Sequence, residues 1–142
     1  MTATETSLKN FQSDVDQWMA ENVPKNPGFL LPLTFLEVGT EQQLDFLRDW
    51  QHKLWSAGFL GMHWPTKYGG QGSDAAFQGI VDKALTAHNA PIIFNTIGLN
   101  WTGPLLLGVG TEGDRQRYIK NILTGDEIWC QGFSEPDHGS DL

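Results

Sequence analysis

The chain has 142 residues, 39% of them hydrophobic and 18% charged, and nine Lys+Arg against 17 Asp+Glu give a formal net charge of −8. That composition fits one soluble globular core, and the acidic balance supplies no basic patch for nucleic acid or for an anionic membrane surface. A single cysteine, Cys130, excludes an internal disulfide and a Cys-rich zinc site; no apolar run approaches the ~20 residues of a membrane span, and the first nine residues show neither signal nor transit features, so the expected location is cytoplasmic.

Helical periodicity dominates. Leu8, Phe11, Val15, Trp18 and Met19 recur at three- and four-residue steps and predict a first helix, stopped by Pro24 and the Asn26-Pro27-Gly28 cluster. Thr40 is the expected cap of a second helix with Leu44, Leu47, Gln51 and Leu54 on one face, widened by Phe46, Trp50 and Trp55 and closed by Gly58. The stretch from Gly61 to Gly72 is too rich in Gly and Pro for a regular element. Ser73 is the expected cap of a third helix carrying Ala76, Phe77, Ile80, Val81, Ala84 and Leu85 inward. A fourth apolar segment, from Ile92 to Leu107, reads as helical in part from Thr96. Thr111 then caps a fifth helix with Tyr118, Ile119, Ile122 and Leu123 inward, ending at Gly125.

Ile128 to Ser134 is short and rich in β-favouring residues and reads as a strand. Phe29–Leu33 and Pro91–Phe94, the other strand candidates, carry prolines that would remove ladder hydrogen bonds. A lone strand leaves its backbone groups unpaired. The expectation is a helical domain over residues 1–127 joined at 128–142 to the truncated start of a second, β-containing domain.

Conventional catalytic signatures are absent: there is no G-x-S-x-G, no phosphate-loop lysine motif, no G-x-G-x-x-G and no paired cysteine. His52, His63, His88 and His138 are too scattered for a local metal site, and none is assigned. The glycine loop Tyr68-Gly69-Gly70-Gln71-Gly72 lacks a phosphate-binding lysine and reads as a structural turn rather than an anion site. Trp18, Trp50 and Trp55 read as core. Near the C-terminus, Glu135, Asp137 and Asp141 suggest Ca²⁺ or acid–base work on composition alone, against the blander reading of turn carboxylates capping backbone N–H groups.

Across nearly its whole length the sequence resembles the acyl-CoA dehydrogenase family. The resemblance rests on Gly58-Phe59-Leu60-Gly61, Trp64-Pro65 with Tyr68-Gly69-Gly70-x-Gly72, Gly110-Thr111-Glu112, Leu123-x-Gly125-Asp126, and the closing series Ser134-Glu135-Pro136-x-x-Gly139-Ser140-Asp141. At His138 the family usually has a small residue. The resemblance implies a mainly α N-terminal helical domain, a middle β domain of which only the first short β segment is present, a C-terminal helical bundle, and FAD between them. It also implies α,β-dehydrogenation of an acyl-CoA thioester. Carried over by position, Ser134 would meet the flavin ring near its N5/O4 edge, Gln131 and Phe133 would line the ring, and Ser140 would lie near both the cofactor and the CoA arm. Thr96 and Asn100 are candidates for the acyl pocket. The catalytic base is expected in the missing C-terminal part, so the isolated chain is expected to be inactive.

The expected partners are therefore an acyl-CoA substrate, an electron-transfer acceptor protein and further protein subunits in a homo- or hetero-oligomer. The alternative is a non-catalytic helical interaction subunit derived from the same family.

Overall fold

The computed structural model describes residues 4–25, 27–135 and 137. Ser140 and most of the Glu-Pro-x-x-Gly-Ser-Asp series lie outside the described residues, as do Asn26 and His138.

Among the described residues, five α-helices form in the order the periodicity predicts. Helix α1 (Glu5–Asn22) opens with Thr4 and Ser7 satisfying each other's backbone N–H groups, a reciprocal cap, and stops at Val23, the residue before Pro24. Helix α2 (Glu41–Ser56) is capped by Thr40, whose hydroxyl accepts from the Gln43 N–H at 3.2 Å. Helix α3 (Ala75–Ala87) is capped by Asp74 rather than by Ser73: the Asp74 carboxylate accepts from the Ala76 N–H at 2.9 Å, and its negative charge suits the helix N-terminus better than a hydroxyl does. Helix α4 (Gly103–Val109) continues a π-helical turn (Gly98–Thr102), and Thr96 and Ile97 are already helical, as expected. Helix α5 (Glu112–Thr124) runs from the Thr111–Asp114 reciprocal cap to Gly125, whose φ of 83° ends it in the left-handed region.

Helix α1 packs on α3, while α5 packs on both α2 and α4. Val15, Met19, Leu54, Val81, Ile119, Ile122 and Leu123 are fully buried between them. Trp50 is buried with them, and Trp18 and Trp55 pack against this core, as expected. Each such large apolar side chain contributes on the order of 1.5–3 kcal/mol by leaving water.

The Gly61–Gly72 stretch is more ordered than its composition suggests. It contains a short 3₁₀ turn (Thr66–Tyr68), and its amides are engaged within the loop: Gln71 N–H donates to Gly61 O at 3.0 Å and Gly72 N–H to Trp64 O at 2.9 Å. This is a structural turn, as expected. Gly70 lies so close to Trp64 that a Cβ there would overlap the Trp64 carbonyl, so the position requires glycine.

Residues 128–134 form no ladder among the described residues, so the strand expected there is not realised as one; only Glu135 makes an isolated bridge. The physical reason is the one the sequence already exposed: a strand has no structure of its own without a neighbouring strand to take its N–H and C=O groups.

Candidate functional site

Two buried amides decide how the chain leaves helix α5. Gln51, fully buried on α2, donates through Nε2 to the carbonyls of Ile122 and Leu123 at 2.8 and 3.0 Å. These are carbonyls that a helix C-terminus leaves without an intrahelical partner. Asn95, also fully buried, donates through Nδ2 to Ile122 O and to Glu127 O, both at 3.0 Å. Its Oδ1 accepts from the Trp129 N–H at 3.1 Å. Asn95 therefore ties the segment after α5 to the turn before the π-helix, and thereby sets where residues 129–134 begin.

The short stretch around Asn95 separates two faces. On one, Thr96 and Asn100 line a cavity of about 250 Å³ with Trp64, Gln78, Asp82 and Leu99. A second cavity, about 470 Å³, shares Asp82, Ile93 and Thr96 with it and extends past Leu85 and Pro91 to Phe35. On the other face, Gln131 lines a third cavity of about 430 Å³ whose walls are Phe35, Leu36, Phe94, Ile97, Ile128 and Trp129. The structure thus brings Thr96 and Asn100 together, and sets Gln131 in a different cavity that Phe94 and Ile97 of the same helix start also line. Ser134 lies exposed, and Phe133 is 82% exposed.

A third constellation braces the glycine loop. Tyr68 donates to Glu112 Oε2 at 2.6 Å, and Lys67 Nζ lies 3.2 Å from the same oxygen. The Tyr68 hydroxyl first, and then Lys67, hold the Glu112 carboxyl below the ordinary glutamate range. Thr111 holds Asp114 low in the same way through its hydroxyl and N–H, at 2.6 and 2.9 Å.

The described part of the implied flavin edge is chemically suited to such a ring. Ile128 and Phe133 present exposed apolar surface, Trp129 and Phe94 flank an apolar cavity, and Gln131 supplies amide donors and an acceptor at its rim. Sequence reasoning missed Asn95 altogether and read Gln51 only as a member of the inward face of α2. A signal was present for both, since each is a lone carboxamide at a position the apolar pattern turns inward; its meaning depended on carbonyls distant in sequence.

The family model for the acyl-CoA dehydrogenase N-terminal domain matches residues 7–126. Among characterised proteins, the acyl-CoA dehydrogenase IpdE1 of Mycolicibacterium smegmatis is 34% identical over 136 residues, covering 95% of this chain and 34% of that protein. IpdE1 of Mycobacterium tuberculosis is 32% identical over 136 residues, covering 95% of this chain and 35% of its own. The chain therefore spans about a third of the length of these relatives. Among solved structures, the Tcur3481–Tcur3483 steroid ACAD superposes on 98% of this chain and 34% of its own with a TM-score of 0.71 at 27% identity. The ChsE4–ChsE5 complex from Mycobacterium tuberculosis has the same fold over 98% of this chain and 33% of its own, with a TM-score of 0.70 at 21% identity.

Proposed function

The chain belongs to the acyl-CoA dehydrogenase family, as its N-terminal helical domain, and from that premise we propose that it forms one wall of the acyl pocket and one edge of the flavin site in an FAD-dependent enzyme that desaturates the α,β bond of an acyl-CoA thioester. Residues 1–127 make the helical domain on this reading, and 128–142 begin the β domain. The bound flavin would supply the hydride acceptor. The observation that carries the reading is the position of Asn95: its neighbours Ile93 and Thr96 line the Thr96–Asn100 cavity, and its neighbours Phe94 and Ile97 line the Gln131 cavity. Substrate and cofactor edges built around one buried staple would keep a fixed spacing, which transfer between two bound molecules demands.

In this assignment Thr96 and Asn100 contact the acyl group, Gln131, Phe133 and Ser134 border the flavin, and Ser140 lies near the cofactor and the CoA arm. The carboxylate that removes the α proton comes from outside these 142 residues, so the chain alone should show negligible turnover. Reduced enzyme would pass its electrons to an acceptor protein. The likeness to a steroid ACAD supports a steroid-type acyl group. The exposed Phe133 and Ile128 support association with a further β-containing chain or domain. A cytoplasmic location is part of this reading and is supported by the lone cysteine; among the described residues no helix is long and apolar enough to cross a membrane.

The test is purification from the native host followed by intact mass and a visible spectrum. Flavin absorbance together with polypeptide that supplies the base is the expected result. A colourless preparation of this chain, bound to partners without cofactor, would replace the dehydrogenase reading with that of a non-catalytic interaction subunit.

A further inference from the structure

Phe35 stands between two cavities. It lines the cavity of about 470 Å³ with Leu33, Leu85 and Ala90, and it lines the cavity of about 430 Å³ that holds Gln131, there beside Leu36 and Ile128. It belongs to residues 30–39, a strap in the connection from α1 to α2 that is gripped at both ends by one side chain. Gln43, in the first turn of α2, donates through Nε2 to Leu30 O at 2.9 Å and accepts through Oε1 from the Gly39 N–H at 3.0 Å. Between these ends Pro32 is buried, whereas Leu33 and Leu36 are each 82% exposed and Phe35 is 40% exposed. Among the described residues, the hydrogen bonds of residues 31–38 stay inside the strap: Leu33 N–H donates to Glu37 Oε2 at 2.9 Å, and Glu37 N–H to Thr34 O at 3.1 Å.

An apex bonded only to itself moves without breaking a hydrogen bond to the body of the protein. The exposed leucines also give it a direction: an apolar molecule in the 470 Å³ cavity removes more apolar surface from water if Leu33 and Phe35 are drawn onto it. Leu36 follows, because Phe35–Glu37 form one 3₁₀ turn. Movement toward one cavity therefore takes part of the wall away from the other. We propose that Phe35 is a movable wall coupling the two cavities, so that an apolar occupant of the 470 Å³ cavity draws the strap inward and reshapes the cavity that holds Gln131. The coupling rests on the strap alone; only the identity of the natural occupants, an acyl group on one side and flavin on the other, rests on the dehydrogenase reading above.

Indane, a fused bicyclic hydrocarbon with no hydrogen-bonding group, tests the coupling in the 142-residue chain without CoA or flavin. Backbone amide shifts are followed by NMR: of the cavities described, Leu85 and Ala90 line only that of 470 Å³, and Ile128 and Cys130 only that of 430 Å³. In the unaltered chain both pairs are expected to shift with a common midpoint. In Phe35→Ala, Leu85 and Ala90 should still shift, at an affinity lowered roughly fivefold by the lost apolar contact, while Ile128 and Cys130 stay unmoved. Phe35→Leu keeps an apolar apex and should bind indane nearly as well while passing on a smaller shift, so the test does not hang on one variant folding. No shift at Leu85 and Ala90, no shift at Ile128 and Cys130 in the unaltered chain, or separate midpoints for the two pairs would each overturn the proposal. Shifts at Ile128 and Cys130 that persist undiminished in Phe35→Ala would do so too, because they would come from direct binding or through the adjoining Ile93 and Phe94. None of these outcomes reads flavin retention, so the dehydrogenase reading stands or falls separately.

Discussion

Tyr68 and Glu112, 44 residues apart, meet through a 2.6 Å hydrogen bond from the phenol to Oε2 of the carboxylate. The contact joins the glycine loop to the first turn of α5, so two of the short sequences that carry the family resemblance, Tyr68-Gly69-Gly70 and Gly110-Thr111-Glu112, are parts of one brace. Lys67 closes it from the solvent side.

The brace gives a pH dependence with a definite sign. Because Glu112 titrates below the ordinary 4.5 in the folded chain, its contribution is complete above that value and is lost as the pH falls through the depressed folded value. The amine of Lys67, raised by Tyr68 and then Glu112, contributes below 10.5 and loses that contribution as the pH rises through its folded value. In Tyr68→Phe the Glu112 titration, followed by side-chain carbonyl NMR, should move up toward 4.5. The acid arm of the urea-midpoint profile should flatten with it. An unchanged Glu112 midpoint would show that the phenol does not hold the carboxylate.

Asn95→Ala leaves Glu127 O and the Trp129 N–H without their partner in a partly buried setting, and leaves Ile122 O with Gln51 alone. A loss of about 2–3 kcal/mol in urea unfolding is expected. Amide exchange at Trp129 should accelerate far more than exchange within α1, because the staple acts locally. Uniform acceleration would mean that Asn95 is only a core residue.

Gly103 lies against the Trp64 ring, which fills the space a Cβ would need. Gly103→Ala should cost about 1–3 kcal/mol and shift Trp64 fluorescence, since the helix or the ring must move. The backbone at this position is ordinary right-handed helix, so the cost is one of packing rather than of φ. Gly108→Ala, where nothing lies within 4 Å of the added methyl, is the matched control and should leave Trp64 unperturbed.

Phe133→Ser should leave unfolding stability within about 0.5 kcal/mol, because a ring that is 82% exposed contributes little to the isolated fold. Under the proposed function the same change should weaken flavin retention or association with the β-containing partner in the complex purified from the native host. Unaltered retention and unaltered association would remove Phe133 from the site.

Much of this protein is local and therefore legible. The helix caps at Thr40 and Thr111, the stop at Gly125, the helical start at Thr96 and the stripes of α1, α2 and α5 follow from side chains acting within three or four residues of themselves. Membership of the acyl-CoA dehydrogenase family was legible too, through short ordered sequences whose spacing survives in a single chain. The cap of α3 was misread by one residue because Ser73 and Asp74 both offer a capping oxygen. The choice between them depends on the path the chain takes out of the glycine loop, where the Ser73 N–H is held by Met62 O.

What the tertiary structure alone decided is where distant polar groups meet. That Gln51 and Asn95, 44 positions apart in sequence, converge on the carbonyl of Ile122 is a consequence of how α2, α5 and the start of the π-helical segment pack. That Thr96 and Asn100 share a cavity with Asp82 and His63 depends on the same packing. Periodicity reports which face of a helix turns inward, because that is fixed by 3.6 residues per turn; it carries no information on which other inward face lies opposite. Hydrogen bonds between such faces exist only once the helices have docked, and a 142-residue sequence records them as isolated carboxamides among apolar neighbours.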